Sequence, residues 1–198
     1  NSCVGGSKIV YSIVKKFVKR NQTEKRWVGF LAEALGIEAR DVISLVGAGG
    51  KTTLMFRLAK ELSLGGKKVV TTTTTKILEP GSEETDSLFV NSDEARIKDF
   101  VEGHLNQYDH ITVVRERLES GKLKGVSPNL VDELSYSQEI DTVIVEADGA
   151  AGRPVKAPRE WEPVIPQSTT LIIAILGVDA LGMKLIEDNV FQPERVSK

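Results

Sequence analysis

Cysteine is almost missing from this chain: Cys3 is the only one in 198 residues, which excludes an internal disulfide framework. With two histidines and no C-x-x-C pair, no zinc-ligand spacing is present either. A reducing, cytoplasmic setting follows as the expectation. Strong charge of one sign is also lacking, since the formal net charge is −2, and this removes the electrostatic case for nucleic acid or an anionic membrane as partner. No apolar run approaches the roughly 18 residues of a membrane helix. Aromatics are sparse at 6%, and no internal repeat is evident. What remains, 40% hydrophobic and 27% charged, is enough for one well-buried domain. The chain opens on Asn1, not methionine, and is read as missing or processed at that end.

Against this background Gly47-Ala48-Gly49-Gly50-Lys51-Thr52-Thr53 stands out. It lies between the apolar run Val42 to Val46 and a helical pattern carried by Leu54, Leu58 and Leu62. A strand that breaks into glycines lets successive backbone N–H groups form an anion nest, and the helix that follows adds its positive end. Such a loop binds phosphate: Lys51 is expected at the outer phosphates of ATP or GTP and the Thr52 hydroxyl on Mg²⁺. A full G-x-x-x-x-G-K-[ST] loop needs glycine at position 45, which is Leu45 here. The loop is therefore the shorter G-x-x-G-K-T-T form, similar to that of the Mur ligases.

From Val42 onward short apolar strands alternate with helical stretches. Strands are expected near 42–46, 68–74, 87–90, 111–114, 142–147 and 169–176, and helices near 51–63, 93–106 and 128–135. The runs 142–147 and 171–176 are apolar without alternation, as buried parallel strands are. The expected fold is a doubly wound, mostly parallel α/β sheet of the P-loop NTPase type in three layers, with ligands at the carboxyl ends of the strands. Residues 1–40 read as a helical extension and 41–198 as the nucleotide-binding domain. In the extension, Ile9, Val10, Ile13, Val14, Phe17 and Val18 recur on one face and Lys15, Lys16, Lys19 and Arg20 on another, a basic amphipathic helix that packs on the domain or on a partner. A second helix runs from about Trp27 to Leu35 and stops at Gly36.

Three further stations carry chemistry. The strand ending Val145-Glu146-Ala147-Asp148-Gly149 delivers carboxylates at its exit, with Glu146 the candidate magnesium ligand and Asp148 the candidate for the attacking water or acceptor. Its E-x-x-G spacing looks like that of the metallochaperone GTPases. The threonine run 71–75 ends in Thr74, Thr75 and Lys76, which a strand beside the loop would bring to the phosphates, although a plain β-branched strand explains most of the run. The glycine- and proline-rich segment from Gly149 to Pro166 carries Arg153 and Lys156, cations suited to a transferring phosphoryl group or an anionic substrate. Lys51, Asp148 and Arg153 are thus the candidate catalytic groups. Gly47 to Thr53, Thr75, Lys76 and Lys156 are candidate nucleotide contacts.

The phrases Leu45–Met55, Thr72–Ile77, Gly121–Val126, Val145–Gly149, Arg153–Pro158, Glu162–Pro166 and Gly177–Gly182, taken in order, resemble the selenium-dependent hydroxylase accessory proteins of the YqeC type. That resemblance implies a cytoplasmic P-loop protein, a nucleoside triphosphatase, which helps mature selenium-dependent molybdenum hydroxylases and meets such a hydroxylase or its cofactor as partner. It also implies relatives that continue past Lys198. Three classes stay open: a nucleotide-driven accessory protein, a Mur-like ligase or phosphoryl-transfer enzyme acting on a small anionic substrate, and a passive nucleotide-binding module. The choice between ATP and GTP is open as well, because Leu176-Gly177-Val178-Asp179 offers only the aspartate of an N-K-x-D base-reading element.

Overall fold

The computed structural model describes residues 2–4, 7–14 and 30 as backbone and residues 31–197 throughout. In chain order the elements are β1 (Ser2–Val4), β2 (Ser7–Val14), α1 (Phe30–Leu35), β3 (Val42–Gly47), α2 (Lys51–Leu64), β4 (Val69–Thr73), β5 (Lys76–Leu78), β6 (Ser87–Val90), α3 (Glu94–His104), β7 (His110–Val114), β8 (Glu116–Arg117), β9 (Lys122–Lys124), α4 (Pro128–Ser135), β10 (Thr142–Glu146), β11 (Val155–Lys156), β12 (Leu171–Gly177), β13 (Val190–Phe191) and α5 (Pro193–Val196). Eight strands form the main sheet in the order β1-β2-β12-β3-β10-β4-β7-β6. Every pairing in it is parallel except β1 with β2.

Both faces of the sheet are covered at β10, which is buried throughout and apolar without alternation, as expected. On β12, also expected to be covered on both sides, only the face of Leu171, Ile173 and Ile175 is buried, and Leu176 on the other is 43% exposed, because α3 and α4 pack over β10 and not over this strand. On β10, Ile144 packs with α1 and α2 through Leu35, Met55 and Leu58. Its neighbours Val143 and Val145 point the other way, to Ile97 and Val101 of α3 and to Leu130 and Leu134 of α4. Helices on opposite faces make the sheet doubly wound, as expected. The capping residues are those the sequence offers: Asp93 accepts the Ala95 N–H, and Ser127 accepts the Leu130 N–H with Pro128 in the first turn.

Two things differ from the sequence reading. Residues 7–14 are a strand, paired with β12 from Lys8↔Leu171 to Val14↔Gly177, in place of the first turns of the basic helix. The reason lies in the residue types: Ile9, Val10, Tyr11, Ile13 and Val14 are β-branched or aromatic, which lose χ1 freedom in a helix and suit a pleat. Lys15 to Arg20, and the start of the helix expected from Trp27, lie outside the described residues. The second difference is a small antiparallel sheet, β5-β9-β8, which carries Lys76 away from the main sheet.

Candidate functional site

The carboxyl ends of β3, β10, β4 and β12 lie side by side, and the glycine loop leaves β3 at that edge. Gly47, Gly49 and Gly50 all have positive φ (96°, 78° and 115°). Two of them are also needed for close approach. A Cβ on Gly47 would sit 2.2 Å from the Ile175 carbonyl oxygen, and one on Gly49 would sit 2.4 Å from Gly177 Cα. The loop is thus pressed against the end of β12, where the Ala48 N–H donates to the Ile175 carbonyl at 2.8 Å. Helix α2 then starts at Lys51 after Gly50, which supplies no side-chain cap. Its first N–H groups, unlike those of α3 and α4, are left for another acceptor.

Around this helix start a charged cluster closes. The Thr52 hydroxyl donates to Glu146 Oε2 at 2.6 Å, and Lys51 Nζ donates to the Gly47 carbonyl at 2.7 Å while lying 3.8 Å from Glu146 Oε1. Asp148 is held from three sides. Its Oδ2 accepts the Gly47 N–H at 3.0 Å and faces Lys156 Nζ at 3.2 Å. Its Oδ1 is 3.2 Å from Lys51 Nζ, an ion pair whose angle does not make a hydrogen bond. Lys156 Nζ also donates to Glu162 Oε2 at 2.8 Å and to the Gly149 carbonyl at 2.7 Å.

The cluster is almost sealed. Lys51 is 4% exposed, Glu146 5% and Asp148 2%. Burial pushes the Glu146 carboxyl up and Asp148 adds to the rise, while Lys51 and the Thr52 hydroxyl pull the other way without cancelling it. Glu162 goes down despite its own burial, because Lys156 and the Arg159 N–H hydrogen-bond its charged form. Three carboxylates therefore share two ammonium groups. A hydroxyl and a carboxylate oxygen 2.6 Å apart, in a cluster short of positive charge, are hard oxygen donors that fit Mg²⁺ completed by waters and phosphate. Among the described residues no group of three or more histidine, cysteine or carboxylate side chains is placed to hold a metal alone.

Gly47, Lys51, Thr52, Glu146, Asp148 and Lys156 are thus brought together as the sequence reading expects. Ala48, Gly49 and Gly50 form the loop itself, and the remaining candidates fall elsewhere. Thr53 points out from α2 and is exposed. Thr75 bonds back to Thr73, and Lys76 is exposed on β5 opposite Lys124. The threonines that do meet the site are Thr73, whose hydroxyl donates to the Glu146 carbonyl at 2.7 Å, and Thr74, whose N–H donates to the same carbonyl and whose hydroxyl donates to the Val164 carbonyl. Arg153 donates through Nε to the Glu187 carbonyl, outside the cluster. Glu162 has no role in the sequence reading; the signal for it is Lys156, since a buried ammonium demands a buried carboxylate.

The family model described as YqeC protein matches residues 43–194. An uncharacterized protein YqeC from Escherichia coli K12 is 38% identical over 159 residues, covering 79% of this chain and 59% of that relative. The chain thus spans about three fifths of the length of the curated relative it matches. No solved structure matches. Among the described residues no helix is long and apolar enough to cross a membrane.

Proposed function

The chain belongs to the YqeC family, and from that premise and the loop geometry we propose that it is a P-loop nucleoside triphosphatase binding Mg-ATP or Mg-GTP at Gly47–Thr53. The observation that carries the reading is the 2.6 Å bond between Thr52 and Glu146, which joins the loop to the strand carboxylate in the arrangement a magnesium–phosphate site needs. Thr52 and Glu146 would hold the ion. Magnesium, when bound, offsets phosphate charge and polarises the outer phosphoryl group.

The chain's own residues supply the rest. Lys51 exchanges the Gly47 carbonyl and Asp148 for phosphate oxygens, and the open end of α2 takes an oxyanion on its free N–H groups. Asp148 acts as a positioning residue, holding the Gly47 N–H and so the shape of the loop. Entry of a nucleotide requires the segment from Gly149 to Pro166 to lift, because Lys156 closes the cluster from that side. In the family's role the protein assists the maturation of selenium-dependent molybdenum hydroxylases in the cytoplasm, using nucleotide turnover to handle their cofactor as cargo. The ligase reading is the second one, favoured by the cations of that same segment.

Equilibrium binding of Mg-ATP and Mg-GTP tests the proposal. Lys51→Ala removes a charge-assisted phosphate contact worth roughly 1.5–3 kcal/mol, so affinity should fall by about ten- to a hundredfold. Unchanged triphosphate affinity in that variant sinks the site assignment.

A further inference from the structure

At the end of the main sheet away from β1 lies β6, and among the described residues no strand pairs with its outer edge. Edge strands are commonly blunted by lysine, proline or a bulge. Ser87-Leu88-Phe89-Val90 has none of these: its register with β7 runs unbroken from Ser87↔Ile111 to Val90↔Val114, and the whole strand is half-buried. The Asn91 N–H donates to the Val114 carbonyl, so the peptide groups of Phe89 and Asn91 turn toward β7. Those of Leu88 and Val90 turn outward, and their N–H and C=O groups have no partner among the described residues. Both apolar layers of the protein also run up to this edge. Leu88 and Val90 pack on the cluster that holds Ile77, Val114 and Leu123, and Phe89 packs on the opposite one.

A helix flanks the edge with an aromatic stripe. Under α3, Ile97 and Val101 face the sheet and are buried, while Lys98 turns toward α4 and pairs with Glu133 at 3.6 Å. Phe100, His104 and Tyr108, each one turn apart, take the other flank and are half-buried. They stack in order on Phe89, with ring centres 3.9 Å apart from Phe89 to Phe100, 4.1 Å from Phe100 to His104 and 6.5 Å from His104 to Tyr108. A strand laid beside β6 would find backbone partners along the edge and this ladder under alternate side chains. Charge decides what such a strand carries. Glu83, Glu84 and Asp86 lead into β6, exposed and, among the described residues, with no cation within ion-pair distance, and Asp93 follows it with only Arg96 at 3.7 Å. A second copy pairing antiparallel about Phe89 would bring the acids before β6 in one copy against Asp93 and Glu94 in the other, and like charges opposed across strands are unfavourable. We propose that the β6 edge binds an extended segment of a partner protein, apolar at its centre and flanked by lysine or arginine, which joins the sheet as a further strand beside α3. Nothing in this depends on nucleotide binding.

Fluorescence titration of the whole chain without nucleotide tests it, with the labelled peptide KKVFVTVKK as probe. The probe should bind saturably at sub-millimolar concentration, and EEVFVTVEE about tenfold or more weakly. N-methylating one alternate set of the probe's amides should abolish binding, and N-methylating the other set should leave it within a few-fold, because only one set faces β6. Val90→Pro removes an outward N–H and no bond to β7, so it should weaken the probe about tenfold or more while the circular dichroism of the unaltered chain is kept. Absence of saturable binding overturns the proposal. So does equal affinity for the basic and acidic peptides, or indifference to both methylation patterns. The methylation result, read in the unaltered chain, decides the matter if the proline variant does not fold. A dimer at micromolar concentration that Val90→Pro dissociates gives the edge to a second copy and overturns the proposal as well.

Discussion

Lys156 shows how much one side chain can decide here. Its side chain is 1% exposed and stands between Asp148 and Glu162, which are 2% and 11% exposed. Lys156→Met keeps the packing volume and removes the charge, leaving two carboxylates in the interior with fewer partners. Breaking a buried pair from one side costs about 3–5 kcal/mol, so the urea midpoint should fall sharply, and a midpoint within error of the parent's would mean the cluster is far wetter than its burial implies. His110 offers a second test at this scale. Burial pushes its imidazole down to about 4 against the pull of Asp86, and its Nε2 shares a bond with the Thr71 hydroxyl at 2.9 Å. The unfolded chain therefore binds a proton near pH 6.5 that the folded chain refuses until about pH 4. Stability should decline as pH falls through that window, by about 3 kcal/mol at most, and His110→Gln should flatten that part of a stability-versus-pH profile.

At the scale of elements, the loop works because strand, turn and helix are fitted to a fourth partner, the end of β12. Gly49→Ala would force a Cβ to 2.4 Å from Gly177 Cα at a φ of 78°, prising the loop from that strand. Overpacking of this kind costs about 1–3 kcal/mol, and the left-handed strain adds to it, so both the unfolding midpoint and triphosphate affinity should drop. A fully stable Gly49→Ala chain would contradict the fitted loop. The glycines themselves were legible, because Gly47 to Gly50 between an apolar run and Leu54 admit few readings. Their contact with Ile175 and Gly177 was not, since it depends on which strand lies next to β3. The same limit explains β2. Ile9, Val10, Ile13 and Val14 fit a helical stripe by their spacing and a strand by their residue types, and the edge of β12 gives the strand its partner, a fact of topology. Spacing along one strand points Thr75 and Lys76 to the phosphates, but the chain turns after Thr73 into β5, so the threonines that meet the site are Thr73 and Thr74.

The whole molecule gathers its chemistry at one edge because parallel strands all end there. β3 contributes the loop, β10 Glu146 with Asp148 just beyond it, β4 the threonines, and β12 the wall against which the loop rests. This edge is held shut by its own ions, Lys51 on Asp148 and Lys156 on Asp148 and Glu162. A ligand that binds only the folded chain adds RT ln(1 + [L]/Kd), about 2.7 kcal/mol at a hundredfold excess over Kd. For a chain of 198 residues each kcal/mol moves the melting temperature by about 2–4 °C, so Mg-nucleotide should raise it by roughly 5–10 °C. The shift should shrink when magnesium is chelated, and shrink similarly in Glu146→Gln, which takes away the charged partner of Thr52. A comparison of ATP with GTP at equal concentration then reads the base preference directly, as the larger shift. If neither nucleotide moves the transition at millimolar concentration with magnesium present, the closed cluster is a structural ion network and the loop is not a nucleotide site.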